Sequence, residues 1–330
     1  MNFQALPKIE LHLHLDCSLS YNVVHTINPA ISLEAFQRDF IAPPRCTNLV
    51  DFLTRASHAV ALMQTTEQLR LVTLDLFEQL RSDTHYYVEI RFAPFLHTDK
   101  GLDVEQIVAT VNEATEQGCQ ETGIEARLIL CTLRHYSTEQ SLQTAQLVER
   151  FQGTRVAALD IAGDEAGFPI TAHIPAFNFA IEHGLARTAH SGEASGPQSV
   201  WETLKHFQPA RIGHGARSSE DPALLAHLKQ EKIHLELCPS SNLQTNMYAT
   251  YADHPINQLY HDGLSLGINT DSRTITNLSL TQEYERLHTT FGWDKQQFLD
   301  CNLNALQASF LPDMLKQQIA ERLRTGYAEA

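Results

Sequence analysis

KIELHLHLD, residues 8–16, alternates without a break: Ile9, Leu11, Leu13 and Leu15 are aliphatic, while Glu10, His12, His14 and Asp16 can ionise. A period of two is that of a β-strand with two unlike faces. An antiparallel sheet with one wet side would show the same alternation. In a parallel barrel the aliphatic face packs on outer helices and the imidazoles point into the mouth.

The segments beyond it choose between these. Residues 17–84 form a long insertion whose later half, 49–80, is helical in pattern. Strand-like runs then return: YYVEIRF (86–92), EARLILCT (125–132), RVAALDIAG (155–163), ARTAHSG (186–192), ARIGHG (210–215), IHLELCP (233–239) and LSLGINTD (264–271). Helical stretches separate them. Val104, Ile107, Val108 and Val111 keep the i, i+3, i+4, i+7 spacing, and Asp221-Pro222 supplies an N-cap and a first helical residue. Strand and helix alternating through the chain predict a (β/α)₈ barrel with a helical insertion after its first strand. An open doubly wound sheet would carry a glycine-rich phosphate turn after an early strand, and here that strand runs into Asp16-Cys17-Ser18. Helical patterns over 280–287 and 295–306 are expected to complete the outer ring. No linker or repeat divides the chain, so residues 1–330 are expected to form one α/β domain.

The formal net charge of −15 opposes binding to nucleic acid and to anionic membranes, and leaves a small neutral or cationic ligand as the expected partner. The 6 cysteines form no CxxC pair and read as reduced thiols of a cytoplasmic protein. MNFQALPKIE lacks an apolar signal core, so export is not expected.

In a barrel of this kind the chemistry gathers at the C-terminal ends of the strands. Those ends deliver His12, His14 and Asp16, then Gly163-Asp164-Glu165, His190 with Glu193, His214, and Asp271. With 17 histidines in the chain, about one His-x-His pair is expected by chance, so the pair alone decides nothing. Its position does: residues i and i+2 of a strand share a face, so His12 and His14 can reach one ion. Adding His190 and Asp271 makes a nitrogen and oxygen set suited to zinc. Binuclear barrel hydrolases that bridge two metals with a modified lysine need that lysine on a central strand. The fourth strand has none, which favours one ion.

LPKIELHLHLD (6–16), LDIAGDE (159–165), AHSGE (189–193), RIGHG (211–215), CPSSN (238–242) and INTD (268–271) resemble, in order, the motifs of the adenosine deaminase family of amidohydrolase barrels. The cytidine-deaminase type of zinc site, with His-x-Glu and Pro-Cys-x-x-Cys, is absent. The resemblance implies one Zn²⁺ held by His12, His14, His190 and Asp271. It implies Glu193 as the acid that protonates purine nitrogen 1, and His214 as base and electrostatic partner of the attacking water. Gly163 would offer its backbone to nitrogen 3, and Asp16 would bind the ribose. Adenine deaminases of the same superfamily tend to carry glutamate there, so Asp16 points to a nucleoside. Asp160 would orient the metal ligands from behind. Leu49, Phe52 and Leu53 would form an apolar lid that keeps water from the intermediate.

Two positions depart from the family pattern. Cys17 replaces a glycine, which an ordinary backbone angle would allow. Ser272 stands where many adenosine deaminases place a second aspartate against purine nitrogen 7; a hydroxyl can donate to that nitrogen or accept from it, so contact survives without the charge. The expected activity is hydrolytic deamination of adenosine and 2′-deoxyadenosine. The rivals are a deaminase of adenine or of a modified nucleoside, a hydrolase of esters or lactams, and a non-catalytic binding protein on the same scaffold.

Overall fold

A computed structural model describes residues 1–330. The apolar runs form eight parallel strands: β1 (Lys8–His14), β2 (His85–Phe92), β3 (Glu125–Leu133), β4 (Val156–Ala162), β5 (Ala186–Ser191), β6 (Arg211–His214), β7 (His234–Leu237) and β8 (Leu266–Ile268). They pair in sequence order from β1 to β8. A parallel bridge between Leu13 and Asp271 draws the two ends together, with the N–H of His14 donating to the Asp271 carbonyl at 2.8 Å. Helices lie between the strands, as in a (β/α)₈ barrel.

The first and last strands are shorter than their sequence patterns. β1 stops at His14, and Leu15–Cys17 form a 3₁₀ turn. Asp16 leaves the strand direction because its Oδ2 accepts the N–H of Ala93, just past β2, at 3.1 Å. β8 covers only three of the residues in LSLGINTD; Asp271 lies beyond it with φ +64. That left-handed turn brings the carboxylate back over the barrel mouth.

All four aliphatic residues of the opening alternation are buried, Ile9 and Leu11 in one apolar cluster and Leu13 and Leu15 in the other. Full burial of such a side chain contributes about 1.5–3 kcal/mol. The helix Val104–Thr122 buries Ile107, Val108 and Val111, begins at an Asp103 cap and ends at Gly123 in the left-handed conformation. Pro222–Gln230 begins with Asp221 accepting from Ala223 and Leu224. The insertion contains five helices, from Tyr21–Ile27 to Thr66–Ser82. A third C-terminal helix, Asp313–Glu329, follows the two anticipated ones; it buries only Ile319, Leu323 and Tyr327, too sparse a stripe to stand out in the sequence.

The barrel interior is charged. Arg91 Nη2 donates to Glu236 Oε2 at 2.6 Å and its Nη1 to Asp160 Oδ2 at 2.7 Å. Arg211 bonds Glu236 through Nε at 2.6 Å and also reaches Glu89. All five side chains are fully buried, and charges so placed persist only when paired. No helix is long and apolar enough to cross a membrane.

Candidate metal and catalytic site

Above this floor the alternation in β1 turns the His12 and His14 rings toward the mouth, with their centroids 5.4 Å apart. β5 brings His190 to 4.4 Å from the His12 ring, and the end of β6 brings His214 to 4.7 Å. Asp271 Oδ1 lies 3.5 Å from Nε2 of both His12 and His14. One ligating atom from each of His12, His190, His214 and Asp271 falls within 4.8 Å of the others. His14 stands just outside this quartet, its Nε2 3.1 Å from His190 Nε2.

His12 Nε2 is buried and has no hydrogen-bond partner. A buried imidazole nitrogen left in this state is costly unless something else completes it, and the groups facing it are further imidazoles and a carboxylate. This donor set could hold a metal ion.

The groups behind the ligands aim them. His12 Nδ1 lies 2.8 Å from Glu236 Oε2, and His190 Nδ1 lies 3.1 Å from Asp160 Oδ2. A proton on each Nδ1, donated to its carboxylate, leaves the Nε2 lone pairs turned inward. Ser241 donates to Asp271 Oδ2 at 2.6 Å. Burial holds His14 well below the ordinary imidazole range and lowers His190, so both are neutral near pH 7. For His12, burial and Arg91 push downward but are outweighed by the facing carboxylates of Asp271 and Glu236. Burial alone would raise Asp271; the His12 contact and the facing His214 and His14 instead hold it well below the usual carboxylate range. His214 and Asp271 both have positive φ, +60 and +64. Non-glycine residues keep that conformation where their surroundings over-determine it.

Glu193 lies on the turn after β5, which Glu165 organises by accepting from the N–H groups of Gly192 (2.7 Å), Glu193 and Ser195 (both 2.9 Å). Glu193 Oε2 is 3.6 Å from His214 Nε2. Burial, joined by the nearby charges of Asp271 and Glu165, pushes the Glu193 carboxyl well above its ordinary range. It is thereby set up to keep its proton. The Nδ1 of His214 contacts Asn242 Nδ2 at 3.1 Å.

Gly163 has φ +98, where glycine is favoured, and a Cβ added there would meet the Arg134 backbone N only at 3.6 Å. Conformation rather than space selects the glycine. Asp16 accepts from His97 Nε2 at 2.8 Å as well as from Ala93. Ser272 is buried directly after Asp271. Cys17 is absent from the residues with positive φ, so its side chain fits where a glycine was expected. Leu49 and Phe52, on the helix Leu49–Leu53, are buried with Cys17 and Ile275, and the half-buried Leu53 packs on the same cluster, as does Ala194. This segment therefore touches the neighbours of both Asp16 and Glu193.

Sequence reasoning did not assign roles to Glu236, Glu165, Ser241, Asn242 or His97. Glu236, Arg91 and Arg211 did carry a signal: each is a charge inside or at the start of a short apolar strand, where it must find a buried partner. The partners themselves come from other strands.

The adenosine deaminase family model matches residues 7–326. The adenosine deaminase of Enterococcus faecalis is 34% identical over 330 residues, covering 98% of each chain. Among solved structures, the adenine deaminase of Arthrobacter aurescens superposes with a TM-score of 0.90 at 24% identity, covering 98% of this chain and 100% of its own. An amidohydrolase from Burkholderia ambifaria with bound Zn superposes at 0.88 with 19% identity, covering 99% of this chain and 94% of its own.

Proposed function

The chain belongs to the adenosine deaminase family, and from that premise we propose that it hydrolyses adenosine and 2′-deoxyadenosine to inosine or 2′-deoxyinosine and ammonia, acting in the cytoplasm as one domain. The observation that carries this reading is the buried Glu193 carboxyl, 3.6 Å from His214 beside a cluster of metal-ligand type. Deamination at carbon 6 needs an acid for ring nitrogen 1 next to a nucleophilic water.

His12, His14, His190 and Asp271 would hold one zinc ion. Bound there, zinc supplies Lewis-acid chemistry that lowers the pKa of a water to about 7. The protein's own groups do the rest. Asp16, kept in place by His97 and Ala93, takes a ribose hydroxyl, and the Gly163 backbone meets nitrogen 3. Glu193 gives its proton to nitrogen 1, which makes carbon 6 electrophilic. The oxygen of the attacking water bonds to carbon 6 on the side that His214 faces. Of the water's two protons, one returns to Glu193 and the other joins the amino group as its bond to carbon 6 breaks, releasing ammonia and leaving the carbonyl of inosine. Leu49, Phe52 and Leu53 exclude bulk water during this sequence, and the Ser272 hydroxyl meets nitrogen 7.

A second reading, deamination of free adenine or of a modified purine nucleoside, draws support from the likeness to the Arthrobacter aurescens enzyme. Asp16 in place of glutamate argues against the free base. Replacing the acid tests the mechanism: Glu193→Gln is expected to abolish inosine formation while the purified protein retains its zinc. Substantial turnover in that variant removes the acid role.

A further inference from the structure

Behind His214 lies a chain of hydrogen bonds whose direction can be worked out from its far end. The backbone N–H of Ile256 can only donate, and it reaches His254 Nδ1 at 3.2 Å. His254 is buried, and desolvation lowers its pKa to about 3, so the ring is neutral. With Nδ1 accepting, its single proton sits on Nε2. That nitrogen is 3.2 Å from Asn242 Oδ1, which accepts. The Asn242 amide is thereby fixed in orientation, with Nδ2 donating to His214 Nδ1 at 3.1 Å. A neutral His214 whose Nδ1 accepts must carry its proton on Nε2, the nitrogen that faces Glu193 and the reacting centre.

We propose that Asn242 and His254 are positioning residues that lock His214 in the tautomer protonated at Nε2, so that His214 donates a hydrogen bond to the attacking oxygen and does not act as its base. The inference rests on the deaminase reading for the identity of the attacking water, and on the run of hydrogen bonds from Ile256 to His214 for the tautomer. An Nε2 that already carries a proton has no lone pair for another, and Nδ1 is occupied, so the water's proton passes instead to Glu193, whose own has gone to nitrogen 1. The hydrogen bond donated by His214 aligns the oxygen and stabilises the negative charge carried by it.

The tautomer can be read directly by ¹⁵N–¹H correlation of the imidazoles in the zinc-loaded protein, with the His214 signals assigned by their loss in His214→Gln. The proposal predicts a protonated Nε2 and a bare Nδ1; a proton on Nδ1 overturns it. Asn242→Asp supplies a kinetic arm, because a carboxylate accepts from both histidines and pulls the His214 proton to Nδ1. With the wrong tautomer kcat is expected to fall by roughly 10²–10⁴, with KM nearly unchanged and zinc retained. Unchanged kcat in a variant whose tautomer has flipped contradicts the donor role. At the far end, His254→Leu is expected to lose about tenfold to a hundredfold, and His254→Gln, whose amide can donate in place of Nε2, to recover most of it. Equal losses in both variants would mean that His254 acts through packing alone. The two readings fail separately: absence of ammonia release from adenosine by the wild-type enzyme removes the deaminase reading, while the spectrum judges the tautomer.

Discussion

The Glu193 carboxyl is raised well above its ordinary range because the carboxylate form has lost its solvent and faces Asp271 and Glu165. The sign of the pH dependence follows. A carboxyl raised above its unfolded value of about 4.3 remains an acid through a window in which an exposed glutamate has already ionised. Activity should therefore be lost as pH rises through the Glu193 pKa, and kcat/KM measured against pH should show that falling limb. The limb's absence would mean that the proton comes from elsewhere. Asp160 makes a separate prediction. Its carboxylate lies behind His190 and takes the Arg91 guanidinium, so Asp160→Asn should weaken zinc binding by about tenfold to a hundredfold in a chelator competition. Unaltered affinity would show that Asp160 serves only the ion-pair floor.

Among the elements, β1 was largely legible because a period of two is a local property of the sequence. Its end was not, since the turn at Leu15–Cys17 depends on Ala93 and His97, about 80 residues away. A still larger separation hid the role of Asp83. This residue precedes β2, yet its Oδ2 accepts from the N–H of Leu280 at 2.8 Å and from Arg273 Nη2 at 2.7 Å, and its Oδ1 takes the N–H of Thr281 at 3.1 Å. It caps the helix Leu280–Phe291 from outside while neutralising a buried arginine. Asp83→Ala should cost about 3–5 kcal/mol in urea unfolding at neutral pH, as removal of one partner from a buried pair does. Burial alone would raise the Asp83 pKa, but Arg273, with His85 and Lys8, holds it well below the usual range. A depressed carboxylate contributes stability above its unfolded value of about 3.9 and loses it as pH falls toward the folded value. The difference between wild type and variant should shrink below that point; a pH-independent difference would assign the effect to packing.

For the whole molecule, the ordered strand-end motifs made both the barrel and its mouth legible from the sequence. The interior floor escaped because the partners of Arg91, Arg211, Glu89, Asp160 and Glu236 lie on different strands and meet only when β2, β4, β6 and β7 enclose one space. Glu236 links that floor to the site through His12. On the proposed reading, the substrate end would be set by Asp16, held by two donors, and by the buried Ser272. The central claim is that these residues admit a nucleoside for zinc-dependent deamination. Its most direct test offers adenosine and free adenine, side by side, to the purified protein of measured zinc content, with ammonia release and the ultraviolet change followed for each. Adenosine is expected to be converted efficiently to inosine, with activity lost on chelation and restored by zinc and little turnover of adenine; a clear preference for adenine, or turnover indifferent to the metal, would overturn the nucleoside reading.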